Sequence, residues 1–112
     1  MFFFVAVTRD GLVGYIVARR VLDEGEILNL GVALPMRRRG VGRALVRRVL
    51  TAFAASGVAA VFLEVRESNL PAQRLYEAFG FQEVGRRRRY YQRPVEDAVL
   101  LRAAISARMT LA

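Results

Sequence analysis

The chain contains no cysteine, no histidine and no tryptophan, and all 18 of its basic residues are arginine. Without cysteine there is no disulfide framework, no thiolate nucleophile and no Cys/His zinc site, and without histidine the Ser-His-Asp triad is excluded as well. Any general acid or base must therefore be Glu, Asp, Tyr or a chain terminus. No apolar run approaches the roughly 20 residues of a membrane span. The opening run Met1-Phe2-Phe3-Phe4-Val5-Ala6-Val7 lacks a cationic start and meets Arg9-Asp10 too soon for a signal peptide. The expectation is a soluble, cytoplasmic protein with no metal and no membrane contact.

What is present fits a single domain over residues 1–112, since 112 residues of which 54% are apolar can enclose one core. The net charge is +8, carried by guanidinium groups that suit bidentate phosphate binding. Such a surface favours polyanions, a cofactor pyrophosphate or RNA among them. An arginine surface that only keeps the protein in solution is the alternative.

Strand-forming runs Phe2 to Val7 and Leu12 to Val21, separated by Thr8-Arg9-Asp10-Gly11, predict a hairpin. After Asp23-Glu24-Gly25, a third strand is expected from Glu26 to Leu34. Pro35 and the Arg37-Arg38-Arg39-Gly40-Val41-Gly42 segment end it. Val41, Leu45, Val49, Ala52 and Phe53 then recur at helical spacing, predicting an amphipathic helix from Gly42 to Ser56 that stops at Gly57, with Arg43 and Arg47 off its apolar stripe. Val58 to Val65 has the pattern of a strand covered on both faces.

Ser68-Asn69 can cap a second helix, with Pro71 in its first turn and Leu75 and Phe79 on its buried face; Gly80 and Phe81 end it. Phe81 to Tyr91 and Ala98 to Arg102 are predicted strands, linked by Gln92 to Asp97. The order β-β-β-α-β-α-β-β indicates an α/β (equally α+β) fold with a mixed, mostly antiparallel sheet of about six strands and two helices.

The glycine-bearing loop between a strand and a helix is the first feature with chemistry. Its amides lie at the positive end of a helix, its glycines admit a ligand to the backbone, and Arg37, Arg38, Arg39 and Arg43 add cationic charge. A loop that needs glycine only for its geometry is the plainer alternative. No Gly-Lys-Ser/Thr follows, and Gly40-Val41-Gly42 lacks the third glycine of the dinucleotide fingerprint, so nucleotide hydrolysis and hydride transfer are disfavoured. Glu64 is the one carboxylate in an apolar strand. Burial there would favour its protonated form and suit it to take a proton from an ammonium near neutral pH; a solvated strand end paired with Arg66 is the alternative.

Leu28-Asn29-Leu30-Gly31-Val32, followed by Arg37-Arg38-Arg39-Gly40-Val41-Gly42-Arg43-Ala44-Leu45, resembles the GNAT acetyltransferase signature Arg/Gln-x-x-Gly-x-Gly/Ala. Leu63-Glu64-Val65-Arg66, Ser68-Asn69 and Leu75-Tyr76-Glu77-Ala78-Phe79-Gly80-Phe81 are similar to the later blocks of that family in order and spacing. Arg88-Arg89-Tyr90-Tyr91 and Glu96-Asp97-Ala98 strengthen the likeness to its bacterial ribosomal-protein alanine N-acetyltransferases. The resemblance covers about residues 26 to 102.

It implies acetyl-coenzyme A as co-substrate, an amine as acceptor, and no covalent acyl-enzyme. It also implies that backbone groups at Leu30, Gly31 and Val32 pair with the pantetheine arm. Amides and side chains from Arg37, Arg38, Arg39, Gly40, Val41, Gly42 and Arg43 would hold the pyrophosphate, with Asn69 against the pantetheine region. Glu64 takes the place of the general base and Tyr76 that of the general acid.

The family places a strand and two helices ahead of the segment that opens this chain, and Ala33-Leu34 stand where its close members have Asp-Pro. Two consequences are open: a homodimer burying Phe2, Phe3, Phe4 or the Val99 to Leu111 tail, or a natural chain that begins further upstream. A coenzyme A-binding module without activity also stays open. So does an RNA- or ribosome-binding protein using Arg86-Arg87-Arg88-Arg89 and Tyr90-Tyr91, a run that equally suits an edge strand with charged gatekeepers.

Overall fold

The computed structural model describes residues 1–37 and 39–105. In chain order the elements are β1 (Phe2–Thr8), β2 (Gly11–Val21), β3 (Glu24–Val32), α1 (Val41–Ala55), β4 (Ala60–Arg66), α2 (Leu70–Glu77), β5 (Gln82–Gln92) and β6 (Val95–Ala104). The strands form one sheet in the order β1-β2-β3-β4-β6-β5, in which β3 and β4 are parallel and every other neighbouring pair is antiparallel. This is the predicted order of elements.

Helix α1 buries Leu45, Val46, Val49, Leu50 and Phe53 against the sheet. Gly57, at φ 84°, follows it in the left-handed conformation that a side chain would resist. The Phe53 ring fills the space where a Cβ on Gly25 would stand, 2.8 Å from that position, and meets Phe2 edge to face at 4.9 Å. Helix α2 opens on Asn69, whose Oδ1 accepts the Ala72 N–H at 3.2 Å. It closes as a Schellman end: Phe81 donates to the Tyr76 carbonyl, Gly80 to that of Glu77, and Gly80 has φ 90°.

Both helices lie on one face of the sheet, where Ile16, Ala18, Ile27, Leu63, Val65, Val99 and Leu101 join the α1 residues, Tyr76 and Phe81 in one core. Because strand side chains alternate, the opposite face carries Phe3, Val5 and Val7 from β1 and Phe62, Glu64 and Arg66 from β4. Phe3 is 61% exposed, and among the described residues no helix covers this face.

Several expectations change. Strand β3 ends at Val32 because residues Leu34–Met36 turn as a 3-10 helix, two residues short of the predicted end. The strand expected from Val58 to Val65 is β4, Ala60–Arg66, and it is covered on its helix face alone: Val61, Leu63 and Val65 are buried while Phe62, Glu64 and Arg66 keep partial exposure. On α2 the fully buried residue is Tyr76, with Leu75 and Phe79 packed at the margin of the core.

The predicted linker Gln92 to Asp97 is a tight hairpin around Arg93-Pro94, since Val95 and Glu96 already pair with β5 and Asp97 belongs to β6. Of the three opening phenylalanines only Phe3 is free to join a partner subunit; alternation turns Phe2 and Phe4 toward the core. Val99, Leu101 and Ala103 are likewise core residues, and residues 106–112 of the proposed tail lie outside the described residues.

Phe53 touches both the sheet and the β1 ring Phe2, so Phe53→Ala should cost about 3–5 kcal/mol of stability. Urea unfolding of the two proteins, compared at equal slope, measures it.

Candidate active site

Strands β3 and β4 pair from Glu24↔Ala60 to Ile27↔Leu63 and then part, although β3 continues to Val32 and β4 to Arg66. The parting coincides with a bulge: Val17 pairs Asn29 and Ala18 pairs Ile27, which leaves Leu28 as an extra residue on β3. A bulge bends its strand and increases the local twist, so the end of β3 swings away from β4. Beyond Leu28, β3 keeps β2 on one side and a gap on the other, and the backbone groups that point into the gap have no strand partner.

The loop and both helices converge on this gap. A Cβ on Gly42, in the first turn of α1, would stand 3.3 Å from Leu75 of α2 and 3.8 Å from Val32 of β3. Gly40 caps α1 with φ 80°, and a Cβ there would meet nothing within 4 Å. No side chain caps the helix and no acidic residue occupies its first turn, so the amides opening a 15-residue helix face outward with arginines about them. Arg39 and Arg43 are exposed. Arg37 folds back, its Nε donating to the Val32 carbonyl at 3.2 Å, and Arg38 lies outside the described residues.

Leu30, Gly31 and Val32 are half-buried along the gap, and the Tyr15 ring occupies the volume that a side chain on Gly31 would need, 2.4 Å from that Cβ position. The Asn69 carbonyl is committed to its helix cap, leaving its amide nitrogen free for a ligand. An unfilled helix start, an open edge of strand backbone and a side-chain-free approach at Gly40 fit a phosphorylated ligand with an amide-bearing arm.

Glu64 projects from the first part of β4 beyond the gap's apex, on the face away from the helices. It does not stand in apolar surroundings, and its partner is not Arg66. Arg87 Nε forms an ion pair with Glu64 Oε1 at 2.9 Å, with side chains 57% and 22% exposed. A pair this open to solvent contributes about 1 kcal/mol or less. Arg66 instead binds Glu96 at 3.1 Å and stacks over the Tyr91 ring at 4.3 Å. Glu96 is held below the usual carboxylate range by hydrogen bonds from Ser68 first and by Arg66. The Tyr91 phenol is pushed up, by burial first and then by the charge of Glu64, which places the two near each other.

Tyr76 lies on the other face, within the core, its ring edge to face with Phe81 at 5.4 Å. Burial pushes its phenol far up, and among the described residues its hydroxyl has no hydrogen-bond partner. Glu64 and Tyr76 thus belong to opposite faces of the sheet, and the gap is where those faces meet.

Arg87 and Tyr91 escaped sequence reasoning as neighbours of Glu64. They belong to the edge strand, two strands away in the sheet, and the arginine run presented itself as gatekeepers or an RNA surface. A cleft of about 560 Å³ beyond the end of β4, lined by Glu67, Ser68, Glu96, Asp97 and Arg89 among others, was also not foreseen.

A strand pair split by a bulge, with a helix start at one end of the slot and a carboxylate at the other, defines a site for a long phosphorylated donor and a basic acceptor. Residues 1–81 match the family model described as Acetyltransferase (GNAT) family. The [Ribosomal protein bS18]-alanine N-acetyltransferase of Escherichia coli (strain K12) is 38% identical over 103 residues, covering 89% of this chain and 70% of that protein. The crystal structure of the ribosomal-protein-S18-alanine N-acetyltransferase from Escherichia coli superposes with a TM-score of 0.87 at 36% identity over 94% of this chain and 69% of the other.

N-alpha-acetyltransferase RimI of Mycobacterium tuberculosis is 44% identical over 95 residues, 81% of this chain and 58% of that protein. A NatC complex bound to Gag peptide and CoA superposes at 0.85 with 26% identity, over 93% of this chain and 71% of that one. The chain belongs to the GNAT acetyltransferase family, and its reaction is the transfer of an acetyl group from acetyl-coenzyme A to an amine.

Two outcomes follow for this site. Coenzyme A should raise the melting temperature, by about 2.7 kcal/mol of stability at 100 times its Kd. Arg43→Glu should raise the ligand-free melting temperature slightly, since an acid in the first turn favours the helix, yet shrink the shift that coenzyme A produces. A folded-state phenol that holds its proton more tightly than the unfolded one stabilises the fold below the unfolded pKa, and that contribution falls as pH rises above about 10. Tyr76→Phe should therefore lose less stability than the parent between neutral pH and pH 11, as read by urea midpoints.

Proposed function

We propose that this chain acetylates the α-amine of a protein N-terminus in the cytoplasm, with Glu64 as general base and Tyr76 as hydrogen-bond donor to the departing sulfur. The observation that carries the reading is the parting of β3 and β4 with Glu64 beside it, because a donor threaded through the gap would bring its thioester between the two faces. The relatives that act on protein N-termini support the acceptor class. No helix among the described residues is long and apolar enough to cross a membrane.

Acetyl-coenzyme A, when bound, supplies an acyl carbon with a thiolate leaving group. The amides of Val41, Gly42 and Arg43 and the side chains of Arg37, Arg38, Arg39 and Arg43 hold its pyrophosphate. The backbone of Leu30, Gly31 and Val32 and the free amide of Asn69 align its arm along β3. Glu64 takes a proton from the incoming ammonium, directly or through water, so that a neutral amine can attack.

Tyr76 donates a hydrogen bond to the sulfur. Burial raises its affinity for its own proton, so the hydroxyl stays protonated until the sulfur departs and Tyr76 can serve as the general acid.

The arginine run does not favour the RNA alternative. Arg86 is held by Glu83 and Glu67, and Arg87 by Glu64, so half of the run is neutralised within the chain. Phe3 and its exposed neighbours Val5 and Val7 are the surface through which a homodimer would form.

Glu64→Gln should lower kcat by about 10²-fold near pH 7 while leaving the Kd of coenzyme A nearly unchanged. Steady-state transfer to an N-terminal peptide, alongside calorimetric coenzyme A binding, tests both halves. An unaltered pH–rate profile in this variant would remove Glu64 from the mechanism.

A further inference from the structure

The carboxylate assigned as base is already occupied by a cation of the same chain. Arg87 sits on β5 opposite Ala98 of β6, which is opposite Arg66 of β4; two register steps on, and so on the same face, Gly85, Leu100 and Glu64 stand in line. Ala98 leaves the strip beside Arg87 low and the Leu100 side chain leans over Gly85, 3.4 Å from where a Cβ there would stand, so the Arg87 side chain can lie across β6 and reach Glu64.

Its neighbours are committed elsewhere: Arg66 to Glu96, and Arg86 to Glu83 and Glu67. The acids of the adjoining cleft are committed too. Glu96 accepts from Arg66 and the Ser68 amide, Glu67 pairs with Arg86, and Asp97 accepts the Arg89 N–H at 3.0 Å. Glu64 is the one carboxylate that Arg87 binds among the described residues.

An ammonium that comes to Glu64 competes with this guanidinium for the carboxylate and stands beside it. An acceptor with a plain cationic neighbourhood meets repulsion there. An acceptor whose amine is followed closely by a carboxylate matches the pair charge for charge, ammonium on Glu64 and carboxylate on Arg87.

We propose that Arg87 is a specificity-determining residue that selects N-terminal peptides with an acidic side chain next to the reacting amine, and that such an acceptor frees Glu64 by taking Arg87 from it. The proposal rests on Glu64 being the base. The exchange is cheap because the Arg87–Glu64 pair is solvent-exposed, and it leaves no charge without a partner. The transfer itself is unchanged: one proton leaves the ammonium for Glu64, the N–C bond forms, the C–S bond breaks with its electron pair on sulfur, and the second proton of the nitrogen ends on the departing thiolate.

The test uses the coenzyme A-loaded protein and three peptides that differ only at the second residue, Asp, Asn or Lys. Calorimetric binding is measured for each, and acetyl transfer separately. The Asp peptide should bind about tenfold more tightly than the Lys peptide, with Asn between them. Arg87→Gln should remove that order while binding the Asn peptide nearly as well as the parent, and Arg87→Lys should restore part of it.

In the parent protein the preference should also shrink when salt is raised to about 0.5 M, a readout that needs no variant. Equal binding of the three peptides, a preference for Lys, or an equal loss on all three in Arg87→Gln would overturn the assignment. If the Asp preference holds in binding but no peptide is acetylated, the acetyl-transfer reading fails and the role of Arg87 in selection stands.

Discussion

The structure depends on where the only parallel strand pair among the described residues stops. Ile27↔Leu63 is the last pair between β3 and β4, and Leu28 immediately after it is the inserted residue of a bulge. Had the two strands paired to their ends, the sheet would be closed. The backbone of Leu30 to Val32 would then be spent on β4, and Glu64 would be one more residue on a sheet face. The bulge leaves that backbone unpaired on its β4 side and opens a passage between a face packed under two helices and a face that, among the described residues, carries none. The gap persists because its walls are held from outside it: β3 by its ladder to β2, β4 by its ladder to β6, and the helix starts by Val32, Gly42 and Leu75 meeting at its floor.

Charge is distributed around that passage with a division of labour. On the helix side the arginines near the start of α1 have no carboxylate in the first turn to answer them, which suits an anionic ligand. On the open face the arginines are answered: Arg66 by Glu96, Arg86 by Glu83 and Glu67, and Arg87 by Glu64. Arg39 and Arg43, exposed beside the start of α1 and, like several arginines elsewhere on the surface, without a salt bridge among the described residues, stand where a pyrophosphate would lie. Around the reacting amine the chain uses its arginines in pairs. Tyr76 shows the complementary strategy, a polar hydroxyl in the core whose proton is retained because burial disfavours the phenolate.

Much of the fold was legible because its signals are local. Gly57 and Gly80 end helices through left-handed backbone, Asn69 caps α2 through its own carbonyl, and the apolar spacing of α1 shows which side will be buried. The order of the elements follows from such signals, and the loop from Arg37 to Arg43 could be read as an anion site, since a helix start has unfilled amides whatever surrounds it. Legibility ended where a residue's setting depends on strands distant in sequence. Strand β4 is as apolar as a fully covered strand, yet Phe62, Glu64 and Arg66 face a side of the sheet on which, among the described residues, no helix lies. Glu64 reads as isolated, and the strand order β4-β6-β5 brings Arg87 across to it.

The sequence by itself determined the class of fold, the helix ends, the exclusion of thiol and imidazole chemistry, and the loop from Arg37 to Arg43, Glu64 and Tyr76 as candidates for anion binding, base and acid. Each depends on residue type and short-range spacing, which the chain carries without reference to its partners. Tertiary structure alone decided that Glu64 and Tyr76 lie on opposite faces, that Glu64 is paired with an arginine 23 positions further along the chain, and that β3 and β4 part at Leu28. Those outcomes are set by pairing register between strands. A shift of one residue would turn every side chain to the other face, and no local signal records which register wins.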